Sequence, residues 1–429
     1  MKCVEKAPLR TLVLCLGTWL GLVAPAWADE PPAPPAPPAP PAPPAPPAPP
    51  APPAPPGPAA ASPGPRPVVL DGSFGKLVLG GYAEGFYQWN FNRPPSGITN
   101  YRGFDNRHNS FTIANAVVDA QYEKSGVMAR LALQVGHTPN TYYLAEPSSR
   151  ADLATSVVGE SDATTWRYIQ QALIGYKLPL GRGLLLQGGV FLSPIGPESM
   201  AVRDNWTFSR SNLFFNLPFY HTGIRATQQL GEAWSATVGV VNGWNSVVDN
   251  NGEKSLYGQL YYNRPDRVQA QLLYFTGVER SPAASQRQWR HLLDLWLTVY
   301  FGSRFAFTLH GNAGIEPQEP TSTTWLAGAT YVRVRLLRFL QLAARGDVFW
   351  EQRGDLAIFY PDRMSWLASG TATLDFTGLP GLLLRLEYRH DHSDGEIFFA
   401  RPDASGLFSG RDIGKELQDT LTVGAVVWF

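Results

Sequence analysis

A chain of 429 residues with 35 basic and 35 acidic side chains is electrically balanced, which excludes both the basic field of a nucleic-acid binder and an acidic solvating tail. Both cysteines, Cys3 and Cys15, lie within the first 28 residues, so disulfides, thiol catalysis and cysteine metal sites are excluded beyond them. A composition 44% hydrophobic suits a β-barrel as well as a soluble globule, because in a barrel only every second residue need be apolar.

Lys2, Lys6 and Arg10 precede an apolar run over 11–23, and Ala26-Trp27-Ala28 offers a small-x-small cleavage site. Residues 1–28 therefore read as a secretory signal peptide, the run being shorter than the ~20 residues of a spanning helix. Removing Lys2, Lys6, Arg10 and Glu5 with it leaves 32 basic and 34 acidic residues. Residues 29–75 follow as a linker, nearly pure Pro-Pro-Ala over 31–56. Proline lacks the amide donor and fixes φ, so polyproline II is expected, reaching roughly 80 Å at ~3.1 Å per residue. A semi-rigid periplasmic arm reaching toward the cell wall is favoured over a ligand for a proline-binding domain, since nothing basic or aromatic interrupts the repeat.

From residue 76 onward the pattern has period two. Leu77, Leu79, Ala83, Tyr87, Trp89 and Phe91 alternate with Glu84, Gln88 and Asn90. Over 111–122, Ala114, Ala116, Val118, Ala120 and Tyr122 oppose Asn115, Asp119 and Gln121; over 128–136, Leu131, Leu133 and Val135 oppose Arg130 and Gln134. Similar segments lie near 165–178, 184–192, 219–230, 233–242, 255–262, 267–275, 290–301, 305–315, 324–336, 340–350, 364–376, 382–390 and 416–429. The last sets Leu421, Val423, Ala425, Val427 and Phe429 on one face and Thr420, Thr422 and Gly424 on the other. Short links such as 123–126, 231–232, 302–304 and 378–381 alternate with long ones such as 137–164, 193–217 and 391–415. The expected fold is all-β, a transmembrane antiparallel up-and-down barrel of about 16 strands over 76–429, with short periplasmic turns and long external loops.

With apolar faces toward lipid, the pore-lining set is Glu84, Asp119, Arg130, Arg225, Asp294, His310, Arg333, Arg335, Arg345, Asp347, Arg385, Glu387 and Arg389. A 16-stranded barrel encloses water. The arginines of 324–336, 340–350 and 382–390 either set a transverse field for selectivity or pair with carboxylates to hold the wall, and both readings stand at this point. If they meet the ion path, Arg345→Glu and Arg385→Glu move the pore toward cations. The long 193–217 link, with Glu198, Arg203, Asp204 and Arg210 among Trp206, Phe208, Phe214 and Phe215, is expected to fold inward as a constriction loop rather than cap the rim.

No catalytic, metal or cofactor residues are assigned. His390-Asp391-His392-Ser393-Asp394 has the donors of a metal site but is expected in a solvated external loop, and Asp249-Asn250-Asn251-Gly252 reads as a turn before a calcium loop. A Gly-x-Ser-x-Gly elbow does not occur, so an outer-membrane lipid hydrolase ranks below a channel. The other alternative is a surface-binding or structural barrel closed by its loops.

Tyr82, the run Phe86-Tyr87-Gln88-Trp89-Asn90-Phe91-Asn92-Arg93-Pro94, then Arg102, Phe104-Asp105 and Asn109-Ser110-Phe111 resemble the OmpL-like β-barrel porin family of Gram-negative bacteria. Ser193-Pro194-Ile195-Gly196-Pro197-Glu198, His221-Thr222-Gly223-Ile224-Arg225 and Val241-Asn242-Gly243-Trp244-Asn245 carry the likeness further, over about 79–429. The resemblance implies an outer-membrane porin giving passive diffusion of small hydrophilic solutes or ions. Expected partners are membrane lipid, the outer-membrane assembly machinery through Phe429, the cell wall through the proline arm, and a homotrimer; no nucleic acid and no cofactor are expected.

Overall fold

In the computed structural model the described residues are 67–143, 163–249, 251–280, 287–318, 322–352, 358–360, 363–402 and 413–429. The expected signal peptide at 1–28 and the expected linker residues 29–66 lie outside them. In chain order the strands begin with β1 (Val68–Gly72), β2 (Gly75–Asn90), β3 (Phe111–Lys124), β4 (Val127–Val135), β5 (Ile169–Leu178) and β6 (Leu184–Leu192). Then come β7 (Tyr220–Gln229), β8 (Trp234–Val241), β9 (Ser255–Arg264), β10 (Val268–Val278), β11 (Trp289–Phe301), β12 (Phe305–Glu316) and β13 (Thr323–Leu337). The chain ends with β14 (Leu340–Glu351), β15 (Trp366–Leu379), β16 (Leu382–Ser393), a small hairpin of β17 (Phe398–Ala400) and β18 (Ile413–Lys415), and β19 (Leu417–Trp428). Short helices α1 (His137–Tyr142), α2 (Ala163–Trp166) and α3 (Asn212–Phe215) sit in the long loops.

Strands β2–β16 and β19 each pair antiparallel with their neighbours, and β19 closes the ring on β2 from Thr420↔Asn90 to Trp428↔Tyr82. Closure leaves no barrel edge unpaired, which a lipid-facing sheet requires. At the short-turn rim Ser125 and Gly126 both have positive φ between paired Lys124 and Val127, the geometry a two-residue hairpin needs.

Sorting of faces follows the alternation. On β11, Leu293, Leu295 and Leu297 are exposed on the outer wall while Asp294 and Trp296 point inward and are buried. Full transfer of a leucine side chain out of water contributes about 1.5–3 kcal/mol, so the wall as a whole is stable only in hydrocarbon. Ring pairs flank it at both rims: Phe301 with Phe305 and Trp234 with Tyr262 at the short turns, Tyr87 with Phe111 at the loops. No described helix is long and apolar enough to cross a membrane.

Four expectations are corrected. The linker stops short of residue 75, because β1 folds back on β2 from Val68↔Leu79 to Gly72↔Gly75. That satisfies the backbone edge of β2 below Gly81, where β19 ends with Phe429 exchanging hydrogen bonds with Gly81 at 3.1 and 3.2 Å. Ala114 is buried inside instead of facing lipid: β3 is bulged there, Glu84 pairing with Asn115 and Gly85 with Ile113, so the outward set becomes Phe111 and Ile113 above the bulge. His390 to Ser393 belong to β16 and not to a loop, with His390 and His392 outward and Asp391 inward. At 165–168 the expected strand start is instead taken up by the end of α2 and a turn.

Candidate functional site

The link between β6 and β7, residues 193–219, lies inside the barrel. Its anchors come from strands all around the wall. Gly196 donates its N–H to Asp294 Oδ1 of β11 at 3.1 Å, and Asp294 Oδ2 meets His310 Nε2 of β12 at 2.7 Å. Gln271 of β10 donates to the Pro194 carbonyl at 2.7 Å. Further round the wall Asp347 of β14 accepts the Asn212 N–H at 2.8 Å, and across the barrel Glu84 of β2 accepts that of Val202 at 2.9 Å.

The arginines of β14 and β16 grip the middle of this loop. Arg385 donates to the carbonyls of Val202, Asn205 and Thr207 at 3.1, 2.8 and 2.7 Å while its Nε and Nη2 hold both oxygens of Asp375. Arg345 donates to Thr207 Oγ1 and the Ser209 carbonyl at 2.9 and 2.6 Å, and to Asp347 at 3.0 Å. Arg389 donates to the Arg210 carbonyl and to Asp391 at 2.6 and 2.7 Å. Between them Glu387 accepts the N–H groups of Phe208 and Ser209. Along β16 the inward positions thus run Arg385, Glu387, Arg389 and Asp391, cation and anion in turn; the first three meet backbone carbonyls and N–H groups of the loop, and Asp391 holds Arg389 and Arg102.

Apolar contacts fix the same segment. Phe208 packs tilted against Phe86 with ring centroids 5.6 Å apart and lies over Gly424 of β19, where a Cβ would come within 2.4 Å of the ring. Within the loop Glu198 accepts the Ser211 N–H at 3.0 and 3.1 Å, Ser211 caps α3 by accepting the Phe214 N–H at 3.2 Å, and Arg345 reaches Glu198 at 3.3 Å. Arg210 is buried, its guanidinium over the Phe104 ring and donating to the Phe208 carbonyl at 2.9 Å.

All seventeen positions expected at the pore or on the constriction loop fall on the inner wall or on this loop, with His310 bonded to Asp294. Their exposure divides them. Glu84, Asp294, His310, Arg345, Asp347, Arg385, Glu387 and Arg389 are buried beneath the loop, and Arg345 and Arg385 are paired with carboxylates there, which fits the wall-holding reading of the two left open for them. Asp119, Arg130, Arg225, Arg333 and Arg335 remain partly exposed toward the short-turn rim, as do Arg203 and Asp204 of the loop. Arg130 pairs with Asp119 at 2.7 Å, whereas Arg225, Arg333 and Arg335 have no ion-pair partner among the described residues.

Sequence reasoning missed Arg102 and Asp105 as lumen residues. Arg102, in the loop after β2, pairs with Asp105 and reaches Asp391 at 3.4 Å and Thr420 at 3.1 Å. Burial would raise the Asp105 carboxyl, but the adjacent Arg102 guanidinium outweighs it and holds the pKa below the usual carboxylate range. Glu351 was also missed: its carboxylate accepts the successive N–H groups of Ile358, Phe359 and Tyr360, seating Phe359 against Trp244, Trp325 and Phe349 at the loop-side mouth. Glu351 lies one residue beyond the expected strand 340–350, so the alternation did not reach it. Asp249 accepts the N–H groups of Asn251 and Gly252 at 2.9 Å, as the turn reading expects, while Asn250 lies outside the described residues.

A family model described as "Putative beta-barrel porin-2, OmpL-like" matches residues 76–429. No curated protein matches the chain. Among solved structures, the outer membrane channel DcaP of Acinetobacter baumannii is 12% identical with a TM-score of 0.52, covering 84% of this chain and 99% of its own. OmpT of Vibrio cholerae, an outer-membrane protein, is 8% identical with a TM-score of 0.52 and coverage of 84% and 100%. An anion-selective porin from Comamonas acidovorans is 10% identical with a TM-score of 0.52 and coverage of 82% and 99%. At these identities the likeness is one of fold.

Proposed function

We propose, from the premise that this chain belongs to the OmpL-like β-barrel porin family, that it is an outer-membrane porin whose channel passes small hydrophilic solutes by passive diffusion beside the inward loop, with a preference for anions. One observation carries the preference. Four inner-wall carboxylates are matched, Asp119 by Arg130, Asp347 by Arg345, Asp375 by Arg385 and Asp391 by Arg389, and Glu84 and Glu387 are buried against N–H groups of the loop, whereas Arg225, Arg333 and Arg335 have no ion-pair partner among the described residues and lie in the wetter, short-turn half. Fixed cations in a narrow aqueous passage with low-dielectric walls raise the local anion concentration.

The loop supplies the narrowing. Its charged backbone contacts are saturated by the wall, so it presents Arg203 and Asp204 to solvent while Arg210 and Glu198 stabilise it from within. No bond making or breaking is invoked. The test is the reversal potential of purified protein in a planar bilayer under a potassium chloride gradient. A chloride-selective potential that moves toward potassium in Arg225→Glu and Arg333→Glu supports the reading; a cation-selective wild type contradicts it.

A further inference from the structure

We propose that the cleft between the inward loop and the β13–β16 wall, on the short-turn side, is an anion-binding subsite for an oxyanion, a phosphate or a small carboxylate. It rests on the channel reading and gives that passage a specific stop. Arg333 is the centre of the site. It projects inward from β13, its guanidinium 4.7 Å from the Trp206 ring centroid, and no carboxylate among the described residues pairs with it. Stacking on an indole fixes the plane of the guanidinium and leaves its N–H edge free, the arrangement that takes two oxygens of one anion side by side.

A second observation points to the same place. Trp206 lines the cleft with Arg333, Arg203 and Gln341, and its indole Nε1–H is buried with no hydrogen-bond partner. A buried donor without an acceptor is costly, and an anion seated on Arg333 would provide one. The acids nearby do not compete. Asp375 is occupied by Arg385 at 2.6 and 2.8 Å, and Asp204 faces Arg203 at 3.7 Å, leaving Arg333 as net positive charge with Arg335 two residues further along the same inward face.

The test is calorimetric titration of the detergent-purified protein with inorganic phosphate and, in a parallel arm, with succinate, which tells a phosphate source from a carboxylate one. Saturable binding in either arm is expected, weakened at least tenfold by Arg333→Gln and unchanged by Arg267→Gln, which removes an exposed charge in the turn before β10. Trp206→Phe should abolish the anion-dependent change in tryptophan fluorescence. No saturable binding in either arm, wild-type affinity in Arg333→Gln, or equal loss in Arg267→Gln overturns the subsite. Titration needs no conduction, so a protein that binds but never conducts would sink the channel reading alone, and one that conducts without binding would sink only the subsite.

Discussion

Arg385→Ala removes the side chain that donates to three carbonyls of the inward loop and to both oxygens of Asp375. A hydrogen bond to a charged partner contributes about 1.5–3 kcal/mol, so the three loop contacts amount at most to roughly 4–9 kcal/mol. Water entering the vacated space replaces much of that. What persists is the penalty for breaking a buried pair, about 3–5 kcal/mol, which at about 1.4 kcal/mol per tenfold shifts the balance between held and released loop by at least a hundredfold. Contacts of Glu84 and Glu387 with the loop, and every strand pairing, are left intact. The expected result is a barrel that still assembles, with a larger and noisier single-channel conductance and a higher size cut-off for sugars in liposome swelling. Arg385→Lys should fall between, because an ammonium cannot reproduce the guanidinium fork. Wild-type conductance, noise and cut-off in a folded Arg385→Ala protein would refute the latch.

Gly424→Val places a Cβ within 2.4 Å of the Phe208 ring and should dislodge it, raising conductance; Phe208→Ala in the same protein should relieve the clash and restore barrel stability measured by thermal unfolding in detergent. Glu351→Gln exchanges a carboxylate for an amide beneath Ile358, Phe359 and Tyr360, so hydrogen exchange of those three amides should quicken about tenfold with the barrel melting temperature unchanged; unaltered protection would show that the mouth is held by ring packing alone. In the loop after β8, burial would raise the Asp249 carboxyl, but the Lys254 ammonium and the N–H groups of Asn251 and Gly252 outweigh it and depress the pKa. The turn is therefore favoured above the ordinary value of 3.8 and loosens as pH falls through the lower folded value, which the Gly252 amide shift should follow; a transition at or above 3.8 would contradict the sign.

Alternation made the barrel legible because lipid enforces it residue by residue. The expected bounds 184–192 coincide with β6, and those of β11 differ by one residue, since nothing inside the strand competes with the two-face rule. It failed where backbone geometry adds a residue, as at Ala114, or where an edge needs a partner that composition does not announce, as at Val68–Gly72. Inward charges were legible as inward, but their partners were not. Arg385 and Arg333 look alike in a period-two pattern, yet one is buried against loop carbonyls and the other is left uncompensated beside Trp206. That difference depends on a loop some 180 residues away in sequence from β16, and no spacing rule encodes the contact. The same limit hid Arg102, which reaches Asp391 across 289 residues.

The most direct measurement is single-channel recording of the wild-type barrel protein, expressed without residues 1–28, reconstituted into a planar lipid bilayer. Discrete, stable current steps with a chloride-selective reversal potential are the expected result. A protein that inserts as a barrel and carries no current at any applied voltage would contradict an aqueous path beside the inward loop.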